Sequence, residues 1–291
     1  MATVAEWIEG ARPRTLPNAI APVLLGAGAA IGIDGFIWWR ALLALVVSLS
    51  LIVAVNFAND YSDGIRGTDG QHRVGPLRLV GSGVSSPKRV LAAAVLSFAV
   101  AAVAGFVLVA ASGHWWLLAV GVLCFAGAWF YTGGAKPYGY SGLGEPAVFL
   151  FFGLVAVLGT LYLQAGRVNW PSVGGAVAVG AFSASVLIAN NLRDVDTDPD
   201  FGKRTLAVRL GATTTRRLYL VLMTAPFVIT VLLAFGAVWA LLGSLAAPLA
   251  APAVRKVAAG TSGLALIPVL KSTGLAMLVW AATTGVGLAV A

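Results

Sequence analysis

The sequence has few charged residues and almost no cysteine or histidine. Of its 291 residues, 10% are Asp, Glu, Lys or Arg, whereas soluble domains contain about a quarter. One cysteine and two histidines exclude a disulfide framework and a thiolate metal cluster. Hydrophobic residues make up 59% of the chain, and the mean hydropathy is +0.91. This composition excludes an ordinary water-soluble enzyme and a disordered chain, and it indicates a polytopic membrane protein.

Long apolar runs predict an all-α protein with about nine transmembrane helices. A transmembrane helix needs about 20 apolar residues, and runs such as 42–55 lack the alternation of a β-barrel strand. The chain is therefore expected to form a single integral-membrane domain over residues 1–291. The predicted spans are 17–34, 41–58, 90–111, 115–131, 146–164, 171–190, 217–236, 238–254 and 272–290.

The distribution of basic residues predicts the orientation of these spans. With a cytoplasmic N-terminus, the inner segments contain 17 of the 19 Lys and Arg residues, and only Arg40 and Arg167 fall outside. Basic loops stay in the cytoplasm, and one missed span would invert every later loop. We therefore expect a multi-pass protein of the inner (cytoplasmic) membrane. The net charge of +8 is explained by this topology, so neither a nucleic acid nor an obligate protein partner is expected.

Seven of the eleven acidic residues lie in two clusters on the predicted cytoplasmic face. The first follows the second span and the second follows the sixth. Both contain Asn-x-x-x-Asp, and this spacing places two side chains on one face of a helix. Similar motifs four spans apart predict two similar halves with facing acidic stripes. The acids are Asp60, Asp63 and Asp69 in motif 56–69, and Asp194, Asp196, Asp198 and Asp200 in and after motif 190–198.

Carboxylates crowded at a helix end repel one another and favour a bound cation. Oxygen ligands suit Mg²⁺, which binds through one or two carboxylates plus substrate phosphates. Asn56 and Asn190 offer neutral oxygen atoms, and basic residues flank both clusters. The pattern predicts a diphosphate held through Mg²⁺, and its place at a membrane surface indicates a lipid-linked substrate. Solvated acidic loops are the alternative, which the matching spacing disfavours.

Two other classes of membrane protein fit less well. CDP-alcohol phosphotransferases share the opening Asp60-Tyr-Ser-Asp63-Gly64, but here the next Asp-x-x-x-Asp lies about 130 residues later rather than within one short motif. A transporter places ionisable residues near the bilayer midplane, whereas these spans contain almost none apart from Lys271. A membrane transporter is kept as the alternative from another class.

The motifs resemble those of the UbiA-type intramembrane aromatic prenyltransferases over most of the chain. Residues 12–17 are similar to the motif before the first membrane helix, and the two acidic clusters are similar to the family's Asp-rich motifs. Residues 131–145 are similar to the branch acting on 1,4-dihydroxy-2-naphthoate in menaquinone biosynthesis, and residues 1–22 to actinobacterial members. The usual first motif spaces its acids by four, so the spacing here leaves open whether Asp63, Asp69 or both bind metal.

The resemblance implies a bundle around a central cavity and a Mg²⁺-dependent transferase. Such an enzyme moves a polyprenyl group from polyprenyl diphosphate to 1,4-dihydroxy-2-naphthoate, releasing diphosphate and CO₂, to give demethylmenaquinone. Acceptors of the 4-hydroxybenzoate or homogentisate type stay as alternatives, because those relatives share the Asp-rich motifs. The implied metal ligands are Asp60, Asp63, Asp69, Asp194 and Asp198. The implied diphosphate and prenyl contacts are Arg14, Asn56, Asn59, Arg66, Asn190, Lys203 and Arg204. The implied catalytic residues are Lys136, Tyr131 and Arg193.

Overall fold

The computed structural model describes residues 2–68 and 77–291, and the described chain is helical without strands. Seven helices are long and apolar enough to cross a membrane, and two further apolar helices are shorter. These nine correspond one to one to the predicted spans, which confirms the all-α multi-pass fold. The helices are α1 (Val4–Gly10), α2 (Pro17–Ile31), α3 (Trp38–Arg66), α4 (Pro87–Ser112), α5 (Leu117–Phe130), α6 (Gly144–Ala165), α7 (Trp170–Arg193), α8 (Leu206–Ala234), α9 (Val238–Ala258) and α10 (Gly263–Ala289).

Several helices continue past the boundaries that hydropathy predicts. Helix α3 ends at Arg66 instead of residue 58, and α8 and α10 begin at Leu206 and Gly263 instead of residues 217 and 272. Polar residues extend these helices, because a loss of hydropathy does not by itself end a helix. Helix α3 stops at Gly67, whose φ of 72° is a left-handed conformation that glycine adopts at little cost. The first acidic cluster is therefore largely helical.

The main core lies between α7, α8, α9 and α10, together with α2. Phe182, Tyr219 and Trp280 are fully buried there. Tyr219 shares a 2.7 Å hydrogen bond with Thr273, and the indole of Trp280 donates to Thr230 at 2.8 Å. Polar groups buried in a bilayer need such partners. Helix α7 is the most buried of the seven long helices, so the second acidic cluster follows a well-fixed element.

Small residues bring α6 against α7. A Cβ atom on Gly153 would lie 2.5 Å from the Cα atom of Gly180, so neither position has room for a side chain. Such close backbone approach is typical of helix pairs in membranes. Gly153 belongs to Phe149–Val155, a π-helical stretch in α6. The resulting packing fixes one wall of the cavity described next.

One large cavity, of about 2050 Å³, lies among α2, α3, α4, α5, α6, α7 and α10. Its walls are mostly apolar, and its polar lining lies where α3 and α7 end. Ligand pockets usually measure about 300–1,000 Å³. The volume therefore suits a long apolar ligand with a polar head, in accord with the implied central cavity. The predicted similarity of the two halves of the chain stays a prediction.

Candidate functional site

The first acidic cluster is formed by the last turns of α3. Asn56, Asn59, Asp60 and Asp63 are all buried, with at most 7% of any residue exposed. All except Asp60 line the cavity. Their spacing of three and four residues places them on adjoining stripes of one helix. The extension of α3 beyond its apolar run therefore carries the polar side chains of the site.

Asp60 binds the backbone of the segment 77–80, which packs against α3. Its two carboxylate oxygens accept hydrogen bonds from the backbone N–H groups of Leu79, at 2.7 Å, and Val80, at 3.0 Å. Leu79 is fully buried and packs with Phe57 of α3. Asp60 thus ties the segment at 77–80 to α3, although the resemblance implies a metal-ligand role for it.

Asp63 is the most densely contacted carboxylate of the site. Tyr140 donates its hydroxyl proton to Oδ1 at 2.5 Å, Arg78 contacts Oδ2 at 3.1 Å, and the Lys203 ammonium lies 3.6 Å from Oδ2. Burial and the adjacent carboxylate raise the pKa of Tyr140, so this phenol keeps its proton and acts as a donor. Asp63 is thereby held by one hydroxyl donor and two cations in a buried place.

The second acidic cluster begins where α7 ends. Asp194 is the C-cap residue of α7, and the guanidinium of Arg193 donates to its carboxylate at 2.6 and 2.5 Å. Asp198 follows at the start of a short 3-10 helix and accepts a 3.3 Å hydrogen bond from Thr205. Burial raises the pKa of Asp198 to about 6, although the positive charge of Lys203 partly opposes this shift.

The structure brings the two clusters together at one end of the cavity. Asp63, Asp194 and Asp198 all line it, and so do Arg193 and Lys203. The Lys203 ammonium lies near carboxylates of both clusters, since it pairs with Asp63 and also lowers the pKa of Asp198. Asp63, Asp194 and Asp198 therefore lie together, as the sequence predicted for the two acidic clusters.

Tyr140 links the two clusters to the loop between α5 and α6. The Lys203 ammonium lies 5.0 Å and the Arg66 guanidinium 5.7 Å from the centre of its ring. The backbone N–H of Arg204 donates to the Tyr140 carbonyl at 2.8 Å. Sequence reasoning singled out residues 131–145 but did not select Tyr140, and it also missed Arg78. No fixed spacing connects either residue with Asp63.

Within the described residues, no group of three His, Cys, Asp or Glu side chains is assembled as a metal site. Asp69 lies outside the described residues. Asp63, Asp194 and Asp198 are nevertheless hard oxygen donors at one polar cavity end, and each has a cation beside it. This donor set fits Mg²⁺ bound together with phosphate oxygens.

Four of the predicted residues lie outside the cavity lining. Arg66 donates to the carbonyls of Thr132 and Gly134 and so fastens the loop after α5 to the end of α3. Lys136 is exposed in that loop. The predicted residues outside the lining are Asp60, Arg66, Lys136 and Arg204.

The other predicted residues within the described ranges line the cavity, and two asparagines also form hydrogen bonds to neighbouring segments. Asn56 donates to the Ala11 carbonyl and the Thr15 hydroxyl, both at 2.9 Å. Asn59 accepts from the Thr132 hydroxyl at 2.6 Å. The predicted residues in the lining are Arg14, Asn56, Asn59, Asp63, Tyr131, Asn190, Arg193, Asp194, Asp198 and Lys203.

Aromatic rings stand beside the polar end. Tyr131 packs edge-on against Tyr138, with ring centres 5.5 Å apart, and the Tyr138 hydroxyl donates to the Gly127 carbonyl at 2.7 Å. Both rings and that of Phe151 line the cavity. The faces of aromatic rings attract cations, most strongly where water is excluded. The site can therefore hold a phosphate group at its polar end and stabilise positive charge next to it.

Comparison with known proteins accords with this geometry. Residues 19–265 match the UbiA prenyltransferase family. The chain is 58% identical over 289 residues to a 1,4-dihydroxy-2-naphthoate octaprenyltransferase of Mycobacterium tuberculosis, covering 99% of this chain and 98% of that protein. It is 36% identical over 282 residues to a protein of the same name from Escherichia coli, covering 92% and 89%.

Solved structures share the fold at low sequence identity. A UbiA homolog from Archaeoglobus fulgidus bound to GPP and Mg²⁺ superposes with a TM-score of 0.68 at 14% identity, covering 97% of this chain and 99% of that one. An apo UbiA homolog from Aeropyrum pernix K1 gives 0.68 at 17% identity, covering 94% and 97%. The chain belongs to the UbiA prenyltransferase family.

Proposed function

We propose that this chain transfers a polyprenyl group from a polyprenyl diphosphate to 1,4-dihydroxy-2-naphthoate, releasing diphosphate and CO₂ and giving the hydroquinone form of demethylmenaquinone. One observation carries the proposal: carboxylates from both clusters and the cations beside them converge at one end of an apolar cavity of about 2050 Å³. The names of the mycobacterial and Escherichia coli relatives support the naphthoate as acceptor.

Asp63, Asp194 and Asp198 are the residues that would hold Mg²⁺, with the Asn190 amide as a further oxygen donor in the lining. The bound ion would neutralise the donor diphosphate and make it a better leaving group. Relatives of the same fold solved with Mg²⁺ and GPP or DMAPP support this cofactor. The placement of Asp60 on the backbone of Leu79 and Val80 gives it a positioning role in the proposal.

The cations beside the carboxylates would bind the diphosphate oxygens. Arg78, Arg193 and Lys203 now balance Asp63 and Asp194, and their N–H groups are already directed to the cavity end. Charge-assisted hydrogen bonds to phosphate are strong, and donors fixed in advance favour the build-up of negative charge as the carbon–oxygen bond breaks. Arg14 lines the same cavity and adds a further positive charge.

The apolar part of the cavity would take the prenyl chain and exclude water from the allylic cation. Tyr131, Tyr138 and Phe151 place aromatic rings in the lining, where their faces stabilise positive charge. The naphthoate ring then forms a carbon–carbon bond to the first prenyl carbon. Loss of CO₂ returns the electron pair of the carboxylate bond to the ring.

We propose that the protein lies in the inner (cytoplasmic) membrane, that its site faces the cytoplasm, and that the N-terminus lies on the same side. Support comes from the count of basic residues, of which 17 of 19 fall on the inner side under this orientation. Both acidic clusters then lie at the cytoplasmic ends of α3 and α7. A soluble aromatic acid reaches such a mouth from water, and a prenyl tail reaches it from lipid.

The test is a transfer assay on the full chain in lipid nanodiscs, with one labelled polyprenyl diphosphate. The acceptors are 1,4-dihydroxy-2-naphthoate, 4-hydroxybenzoate and homogentisate, each with Mg²⁺ or with a chelator. We expect prenylation of the naphthoate with release of CO₂ and diphosphate, and its loss with the chelator. Preference for another acceptor would overturn the naphthoate assignment. Absence of diphosphate release with all three would favour the transporter alternative.

A further inference from the structure

The cavity contains more positive charge than its own carboxylates balance. Among the described residues, six cations and four carboxylates line it. Three of the cations, Arg78, Arg193 and Lys203, pair with Asp63 or Asp194. Arg14 and Lys271 have no carboxylate partner within the described ranges. An uncompensated cation within a membrane helix marks a functional position by default.

Lys271 belongs to α10, the helix that packs against the start of α2. Gly274, one turn later on the same face of α10, is so near to α2 that an added Cβ atom would lie 3.6 Å from Pro17. Asn18 is the next residue, is 7% exposed and also lines the cavity. Its amide nitrogen donates to the Thr15 carbonyl at 3.3 Å, whereas its buried Oδ1 atom has no partner among the described residues.

The register of α7 against α10 gives the depth of Lys271. The Ser183 hydroxyl donates to the Met277 sulfur at 3.4 Å, so these residues lie at one level. Asp194 follows Ser183 by eleven residues, and Lys271 precedes Met277 by six. With a rise of about 1.5 Å per residue, Lys271 lies roughly 7 Å deeper in the bundle than Asp194. This offset is comparable to the length of a two-ring aromatic.

We propose that Lys271 binds the carboxylate of the aromatic acceptor and that Asn18 Oδ1 accepts a hydrogen bond from one of its hydroxyl groups. The inference rests on the proposed function, which supplies two anionic groups to one cavity. The diphosphate is matched by the cations at the acidic clusters, and the acceptor carboxylate by Lys271. Leu264, Ile267 and Leu275 of α10 line the cavity around it and suit the flat apolar rings.

The test compares three probes that differ only in their polar groups. They are 1-hydroxy-2-naphthoate, 2-naphthoate, which lacks the hydroxyl, and 1-naphthol, which lacks the carboxylate. Binding to the full chain in nanodiscs is measured by probe fluorescence, which needs no turnover. The variants are Lys271→Met, Lys271→Arg and Asn18→Ala. The control is Lys256→Met, which removes an exposed lysine outside the cavity lining.

We expect Lys271→Met to weaken binding of both carboxylate probes by about tenfold to a hundredfold, the usual loss of a hydrogen bond to a charged group. Binding of 1-naphthol should not change, and Lys271→Arg should restore most of the loss. Asn18→Ala should weaken the two hydroxyl probes and spare 2-naphthoate. In the transfer assay, Lys271→Met should raise KM for the naphthoate and leave KM for the diphosphate unchanged.

The outcomes separate this inference from the proposed function. Equal binding of all three probes to wild type and Lys271→Met overturns the inference, whatever the transfer assay gives; it would indicate that Lys271 extends to lipid headgroups. A rise in KM for the diphosphate alone also overturns it. Selective loss of carboxylate probes supports the inference even if wild type transfers no prenyl group, a result that would overturn only the proposed function.

Discussion

The two acidic clusters reach the same cavity by different local structures. In the first, Asp60 and Asp63 belong to a continuous helix, α3, and are 1% and 2% exposed. In the second, the helix ends at Arg193, Asp194 caps it, and Asp198 begins a separate 3-10 helix. The first cluster is therefore fixed by a helix and by its buried contacts. The second depends on local ion pairs and is the more adaptable of the two.

The difference in local structure indicates that the two clusters respond differently to a ligand. Asp63 is held by Tyr140, Arg78 and Lys203 from three separate segments. Asp194 is held by its own neighbour, Arg193, at 21% side-chain exposure against 3% for Asp63. A ligand entering the site must displace few contacts to reach Asp194. We expect the second cluster to adjust when a diphosphate binds, while the first keeps its geometry.

The largest effect is expected from removing a cavity-facing carboxylate in either cluster. Asp63→Asn and Asp194→Asn should each lower kcat by about a thousandfold, because a metal or cation that stabilises leaving-group charge is lost. The matched control is Asp196→Asn, an exposed acid of the second cluster outside the cavity lining. Turnover is measured in nanodiscs, and near-normal activity of Asp63→Asn or Asp194→Asn would remove these two residues from the proposed site.

A second prediction separates Asp60 from Asp63. Asp60→Ala leaves the buried N–H groups of Leu79 and Val80 without their carboxylate acceptor, which costs about 1–3 kcal/mol for each unsatisfied group. We expect a lower melting temperature in detergent together with a loss of activity. Asp63→Asn should lose activity without a comparable fall in the melting temperature. The opposite pattern, in which Asp60→Ala is inactive but keeps its melting temperature, would indicate that Asp60 is a metal ligand.

A smaller effect is expected from Tyr140→Phe, which keeps the ring beside Lys203 and removes the hydrogen bond to Asp63. Loss of a hydrogen bond to a charged group corresponds to about a tenfold or larger change. We expect this change in the Mg²⁺ concentration that gives half-maximal rate. Tyr162→Phe serves as the control, since Tyr162 packs beside His114 and Trp116 away from the cavity. Equal responses of both variants would contradict the role of Tyr140.

The mildest test is the pH dependence of the second cluster. Burial raises the pKa of Asp198 to about 6, so this carboxyl is ionised at pH 7 and protonated at pH 5. Below pH 6, Mg²⁺ must displace a proton, and its apparent affinity should fall by up to about tenfold per pH unit. Titrations of activity with Mg²⁺ at pH 5, 6 and 7 measure this. The residual activity of Asp198→Asn should show no such dependence between pH 5 and 7, and a dependence that persists would show that another group titrates there.

The membrane fold was predictable because the thickness of a bilayer requires apolar runs of about 20 residues, which are visible in a sequence. Nine apolar runs predicted the nine apolar helices of the described residues, while the orientation inferred from the positions of Lys and Arg stays a prediction. The ends of the helices were less predictable, since a helix such as α3 can continue through polar residues, here to Arg66. The expected boundary at residue 58 was therefore wrong, although the acidic motif that follows it was recognised.

The site was only partly predictable, because residues distant in sequence complete it. Asp63, Asp194 and Asp198 were found from motif spacing. Arg78 and Tyr140 were missed, because their contacts with Asp63 depend on how two loops fold back onto α3. Sequence alone also gave no sign that Asp60, four residues after Asn56, turns its carboxylate to backbone N–H groups.

Lys203 gives the two acidic clusters an internal counter-ion, and this has a kinetic consequence. Its ammonium lies beside Asp63 and attracts Asp198, so the protein itself supplies part of the charge balance of these acids. Free magnesium would have to displace that ammonium without compensation, whereas a magnesium–diphosphate complex offers the ammonium new oxygen partners. We therefore expect magnesium and diphosphate to arrive as one complex.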